Sequence, residues 1–198
     1  MVKTTGRKPT HITKPFPAIR ITRVALAAAM VVIATFIRFP LGFAPVMFTA
    51  QVYMVLTVGL LLGAVDGVFA LAVYLLIGLM GMPVFSRGGG FGALATPEGG
   101  YLLGFVAAAG VSGWISGMTL TKEPYWEFIA AFAGVAACYA IALPFIAIQQ
   151  AILGNPVAVG RLFAVYFLAF MPLDSLKAVL AALTTRGLRR AAPSLFTR

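Results

Sequence analysis

Acidic residues are scarce in this chain, with five Asp and Glu against fifteen Lys and Arg in 198 residues, and all charged residues together make up only 10%. Such a composition cannot clothe a soluble globule in a charged shell. Histidine and cysteine occur once each, at His11 and Cys138. A single thiol forms no intrachain disulfide, and one His without a second His or Cys nearby has no metal-ligand spacing. Cys138 lies inside an apolar run, where a thiol serves as a small packing group rather than a reactive one. The sequence contains no HExxH, no Walker A loop, no acidic pair at metal-ligand spacing, and no Ser or Cys beside a base. No enzymatic signature and no cofactor motif is left. Any uphill movement must therefore draw on a partner or on an ion gradient.

What is present is apolar. Hydrophobic residues make up 61% and the mean hydropathy is +0.99, enough for five or six membrane crossings. The excess of positive charge is gathered at the two ends, in Lys3, Arg7, Lys8, Lys14, Arg20 and Arg23, then in Arg186, Arg189, Arg190 and Arg198. That placement is the positive-inside pattern and not a nucleic-acid-binding surface. It predicts two cytoplasmic termini and hence an even number of spans. The basic head carries no cleavage pattern behind one apolar core, so the first apolar run is expected to be retained. The expected organisation is an all-α integral membrane protein of six transmembrane helices. Residues 1–20 form a basic cytoplasmic tail beside anionic headgroups, 21–190 a membrane substrate-binding domain, and 191–198 a short cytoplasmic tail.

Span 1 is expected over about Arg20–Phe39 and span 2 from Gln51 to about Gly63. A cytoplasmic turn at Asp66–Gly67 then leads into span 3, over Val68–Met80. Span 4 is expected over Tyr101–Thr119, and a cytoplasmic loop Lys122–Glu127 sets Tyr125 and Trp126 at the interface. Span 5 follows over Glu127–Gln149, with Pro144 predicting a kink. The last apolar run is interrupted by Met171–Pro172 and contains Asp174 and Lys177. One continuous span would put both ionisable groups deep in hydrocarbon, at about 2.5 to 3.5 kcal/mol each. If 157–170 is a separate outer or re-entrant helix, span 6 starts near Pro172 and runs to about Arg189. Pro172 then costs no hydrogen bond in the first turn, and Asp174 and Lys177 share one face at the outer end.

Between spans 3 and 4 lies an outer stretch, Gly81 to Tyr101, with seven glycines and two prolines. Glycines let backbone approach a ligand closely, and Phe85, Phe91 and Tyr101 supply flat apolar walls; a plain flexible connector would be more polar. Thr49 and Gln51, at the head of span 2, can hydrogen-bond a ligand or simply a neighbouring helix. The outer side also collects Arg38, Arg87, Arg161, Asp174, Lys177 and Glu98. Outer cations run against the positive-inside preference, and a ligand bearing a carboxylate gives them a role. The plain alternative for Asp174 and Lys177 is a helix-surface ion pair worth about 0.2 to 0.5 kcal/mol. In span 1, Ala25 and Ala29 stand four apart and make a smooth groove for close helix packing, either within the chain or against a partner.

These motifs together resemble the BioY family, the biotin-specific membrane subunit (S component) of energy-coupling-factor vitamin transporters. The resemblance covers about Thr22 to Arg190. It rests on Ala25-x-x-x-Ala29, Pro45-Val-Met-Phe-Thr-Ala-Gln51, Gly78-x-x-Gly81-x-Pro-Val-Phe85, Pro97-x-Gly-Gly-Tyr-Leu-Leu-Gly-Phe105 and Met171-Pro-Leu-Asp-Ser-Leu-Lys177. It implies capture of biotin from outside a bacterial or archaeal cell membrane, with a transmembrane coupling subunit and two ATPases supplying the motion. Ala25 and Ala29 match the docking motif for the coupling subunit, and Asp174 and Lys177 match the family's ligand-contacting Asp-x-x-Lys. On that basis Asp174 accepts ureido N–H bonds, Lys177 meets the valerate carboxylate, and the thiophane ring packs on Phe85, Phe91 or Tyr101. The chain departs from the family at Glu98, where Gly-Pro-Thr-Gly-Gly is usual, at Arg87, where small residues are commoner, and at Asp66, in a turn that is usually basic. Arg87 is expected to clamp the carboxylate or face water, and Glu98 to point away from the ligand. A subunit for a different vitamin, a homo-oligomer, and a small membrane enzyme or assembly subunit are the competing expectations.

Overall fold

A computed structural model describes residues 17–40, 42, 46–118 and 125–192. The basic head with His11, Pro45, the loop residues Lys122, Glu123 and Pro124, and the tail from residue 193 lie outside the described residues. Helix α1 (Pro17–Phe36) ends in a two-residue strand β1 (Arg38–Phe39), antiparallel to β2 (Phe48–Thr49). Arg38 stands opposite Thr49, the Phe39 and Phe48 rings lie 4.5 Å apart, and the Ala50 N–H closes the corner on the Ile37 carbonyl at 3.0 Å. There follow α2 (Gln51–Leu62), α3 (Ala64–Leu79), α4 (Pro97–Met118), α5 (Trp126–Ile152), α6 (Val159–Leu162) and α7 (Met171–Ala191). A π-helical stretch, Phe163–Leu168, joins α6 towards α7.

Among the described residues, four helical stretches are long and apolar enough to cross a membrane: Ala18–Phe36, Pro97–Met118, Trp126–Ile152 and Val159–Ala191. Helices α2 and α3, of 12 and 16 residues, are only about 18 and 24 Å long at 1.5 Å per residue. The protein is an all-helical multi-pass membrane protein.

Three boundaries differ from the sequence expectation or sharpen it. The break between α2 and α3 falls on Gly63 and not on Asp66–Gly67. Gly63 has φ 82, a left-handed conformation that glycine adopts without a Cβ clash, and its N–H caps α2 on the Gly59 carbonyl at 2.9 Å. Asp66 sits instead in the first turn of α3, where a carboxylate suits the helix N-terminus, and accepts the Arg20 Nε–H at 2.6 Å. Helix α4 begins at Pro97, four residues before Tyr101, with proline at a position that needs no donor. Helix α7 does start at Met171–Pro172, and a two-residue turn parts it from the π-helical stretch within the one helical run Val159–Ala191.

Inside lipid, helices associate through close packing and satisfied polar groups. The most extensive helix–helix contact is between α4 and α5, and Cys138, buried as expected, meets α4 at Gly104. Helix α2 is buried almost all round, as an apolar helix without a polar face must be. On α1, Ala27, Ala28, Val31 and Ala34 pack inward, whereas Ala25 and Ala29 lie exposed beside Leu26, Met30 and Ile33. Among the described residues, the two alanines are not packed inside the bundle. At the end of the bundle where α7 finishes, Arg189 of α7 gathers three helices. It donates to Glu127 of α5 at 3.2 Å, to Ser116 of α4 at 2.9 Å and to the Leu60 carbonyl near the end of α2.

Candidate functional site

At the opposite end, a cavity of about 430 Å³ opens between the starts of α2, α4 and α7 and the strand β2. Asp174 and Lys177 are both on its wall and both buried, at 4% and 7% exposure. Placing them on the first two turns of α7 brings Lys177 Nζ to 2.8 Å from Asp174 Oδ1. The other oxygen, Oδ2, accepts the Tyr139 hydroxyl of α5 at 2.6 Å. The ammonium also sits 3.9 Å from the centre of the Phe48 ring, an arrangement that partly replaces lost hydration. Because both charges are desolvated, the surface-pair alternative does not apply. A buried pair of this kind is costly unless its remaining donors and lone pairs find partners.

The other wall is built from Thr49 and Gln51. Thr49 donates to Gln51 Oε1 at 2.9 Å, Gln51 Nε2 donates to the Tyr74 hydroxyl at 2.7 Å, and Tyr74 donates to the Val84 carbonyl at 3.2 Å. Both side chains thus line the cavity and at the same time tie α2 to α3 and to the Gly-rich connection. Tyr101 lines the cavity too, with its hydroxyl donated to the Tyr166 carbonyl and its ring near Tyr139 and Phe170, at 6.1 and 6.2 Å.

Phe85, Phe91 and Arg87 are not brought to the cavity wall. Phe85 is buried behind it, edge-on to Tyr74 at 5.5 Å, and its ring lies where a Cβ on Gly78 would have to be. Phe91, in the short 3₁₀ helix Phe91–Ala95, is 73% exposed. Arg87 is exposed and, like Arg38, lies within electrostatic reach of Glu98. The expectation for Glu98 is overturned. Because α4 starts at Pro97, Glu98 falls in its first turn and turns inward, buried, onto the cavity, where it accepts the Ser86 hydroxyl.

Sequence reasoning missed Tyr139, Tyr74, Phe48 and Ser86. Only Phe48 carried a signal, as part of the Pro45–Gln51 motif. The tyrosines act across 35 and 23 residues of sequence, which no local pattern reports.

The BioY family model matches residues 7–194. The chain belongs to the BioY family. It is 33% identical over 173 residues to the biotin transporter BioY of Thermotoga maritima, covering 86% of this chain and 96% of that one. It is 37% identical over 123 residues to the probable biotin transporter BioY of Lysinibacillus sphaericus, and that match spans 62% of each chain. The fold of this BioY member matches a crystal structure of the S-component for biotin from an ECF-type ABC transporter. The TM-score is 0.71 at 24% identity, over 91% of this chain and 95% of that one.

Proposed function

We propose that this BioY member is the biotin-binding membrane subunit of a biotin uptake transporter, a transport protein and not an enzyme. The observation that carries the proposal is the buried Asp174–Lys177 pair on the wall of the cavity between the starts of α2, α4 and α7, a concave, largely apolar site with a few convergent polar groups as small-molecule sites have. Biotin offers ureido N–H donors, a ureido carbonyl, an apolar ring and a carboxylate, which complement a carboxylate, an ammonium and a tyrosine-lined wall. Asp174 takes a ureido N–H on lone pairs left by Tyr139 and Lys177, and the remaining Lys177 donors meet the ligand carboxylate. Thr49, Gln51 and Tyr101 shape the wall, and Phe85 supports the Gly-rich connection from behind. Phe91 and Arg87 belong to the connection over the site, with Arg87 adding positive charge at its approach.

Six helices cross the membrane, with the glycine-rich connection outside and both termini in the cytoplasm, in the cell membrane of a bacterium or archaeon. The termini carry the basic residues, and the cavity lies at the other end of the bundle, as uptake requires. Motion comes from a transmembrane coupling subunit and two ATPases, with Ala25 and Ala29 on the exposed face of α1 as the docking groove. The test is retention of radiolabelled biotin by the purified protein in detergent. Binding at or below micromolar ligand is expected, and no retention there would overturn the proposal.

A further inference from the structure

Glu98 is the cavity's least satisfied acceptor. Its Oε1 takes the Ser86 hydroxyl, but Oε2 is sealed from solvent with no hydrogen-bond partner among the described residues, and the residue is only 7% exposed. A buried carboxyl oxygen left unpaired carries its full desolvation penalty, so a native structure holds one where something else completes it. The two oxygens of Asp174, on the same cavity, each already hold a bond. Glu98 itself lines the cavity, beside Ser86 and with Asp174 and Lys177 on the same lining.

We propose that Glu98 is a ligand-binding, specificity-determining residue whose free carboxyl oxygen accepts an N–H of the ligand. This rests on the assignment of biotin as ligand. The only N–H donors of biotin are the two in its ureido ring, so Glu98 reads that end of the molecule and Asp174 need supply only one of the two acceptors. Arg38 and Arg87, within electrostatic reach, offset the charge of Glu98 without bonding to Oε2. A carboxylate at this position also favours a ligand that carries positive charge on the cyclic head.

The experiment compares biotin with 2-iminobiotin, whose guanidinium keeps the N–H groups and adds a positive charge, on the intact protein and on Glu98→Gln, Ser86→Ala and Asp174→Asn. Glu98→Gln is expected to weaken biotin by about tenfold, as for one hydrogen bond to a charged group, and 2-iminobiotin by about a hundredfold. Ser86→Ala removes the other partner of Glu98 but keeps its charge, and is expected to weaken the two ligands equally and by less than Glu98→Gln does. Equal losses for the two ligands in Glu98→Gln, matched by Ser86→Ala, would show that Glu98 only anchors the connection and would overturn the inference. So would unchanged affinities in a Glu98→Gln protein while Asp174→Asn still weakens biotin, a result that leaves the assignment of biotin standing. Failure of the unaltered protein to retain biotin would instead overturn that assignment, and the role of Glu98 with it.

Discussion

Asp174 and Lys177 show how little a membrane interior tolerates an unfinished polar group. Removing either member leaves the other charged and buried, which truncation at interfaces prices at about 2 to 5 kcal/mol. Asp174→Asn and Lys177→Ala are each expected to weaken biotin binding by that amount in calorimetry, and unchanged affinity in both would place the ligand elsewhere. Tyr139→Phe removes only the hydroxyl donated to Asp174 Oδ2. Its expected cost to affinity is about 1 to 3 kcal/mol, with a thermal midpoint close to that of the unaltered protein, because the ring keeps its packing against Phe167 at 4.9 Å. The pair itself was legible in the sequence, since an Asp and a Lys three apart beside Met171–Pro172 make sense only at a helix start. Tyr139 was not, because its partner lies on another helix. Glu98 was misplaced because Gly99–Gly100 reads as loop, whereas in the structure both glycines belong to α4, where close approach by Leu94 and Ala142 leaves no room for side chains.

At the scale of elements, the connection from α3 to α4 is pinned rather than loose. The Gly78 carbonyl accepts the Gly90 N–H at 2.7 Å, and Phe85 and Gly88 exchange backbone bonds at 2.8 and 3.1 Å. Phe85 lies directly on the backbone of Gly78. A methyl group at Gly78 must push that ring away from Tyr74 and carry Ser86 with it. Gly78→Ala is therefore expected to lower the thermal midpoint by several degrees, an overpacking cost of about 1 to 3 kcal/mol, and to weaken biotin binding at the same time. A variant with native stability and affinity would show that the connection is not held by this contact. The long apolar runs of α1, α4, α5 and α7 were readable from hydropathy alone. The α2–α3 boundary was not, because Asp–Gly is a turn signal that here is outcompeted by a glycine at positive φ and by an Arg20 partner 46 residues away.

For the whole molecule, the proposal that a coupling subunit docks on the exposed alanines of α1 predicts that capture and transport can be separated. Ala29→Trp fills the groove on the outer face and touches nothing in the cavity, so biotin affinity is expected to stay within about twofold while cellular uptake is lost, since bulk at a small-residue seam blocks helix association. Co-purification of the variant with its coupling subunit at the native ratio would count against that role. The alanine spacing was visible in the sequence. Which way it faced was not, because apolar residues stand on both sides of α1, Leu26, Met30 and Ile33 outward and Ala27, Val31 and Ala34 inward.

The shortness of α3 has a consequence for the surrounding bilayer. In the proposed six-span arrangement α3 crosses the membrane, and its outward side, with Val65, Phe69 and Leu76 exposed, spans about 24 Å, several ångströms less than a typical hydrocarbon slab of about 30 Å. Acyl chains beside it must be compressed, at a fraction of a kcal/mol for each ångström of misfit. Reconstituted protein is thus expected to unfold at higher temperature in fourteen-carbon than in twenty-carbon phosphatidylcholine, and an indifferent midpoint would mean that the bundle leans enough to hide the difference. On one flank, the fold carries its own preference for thin membranes.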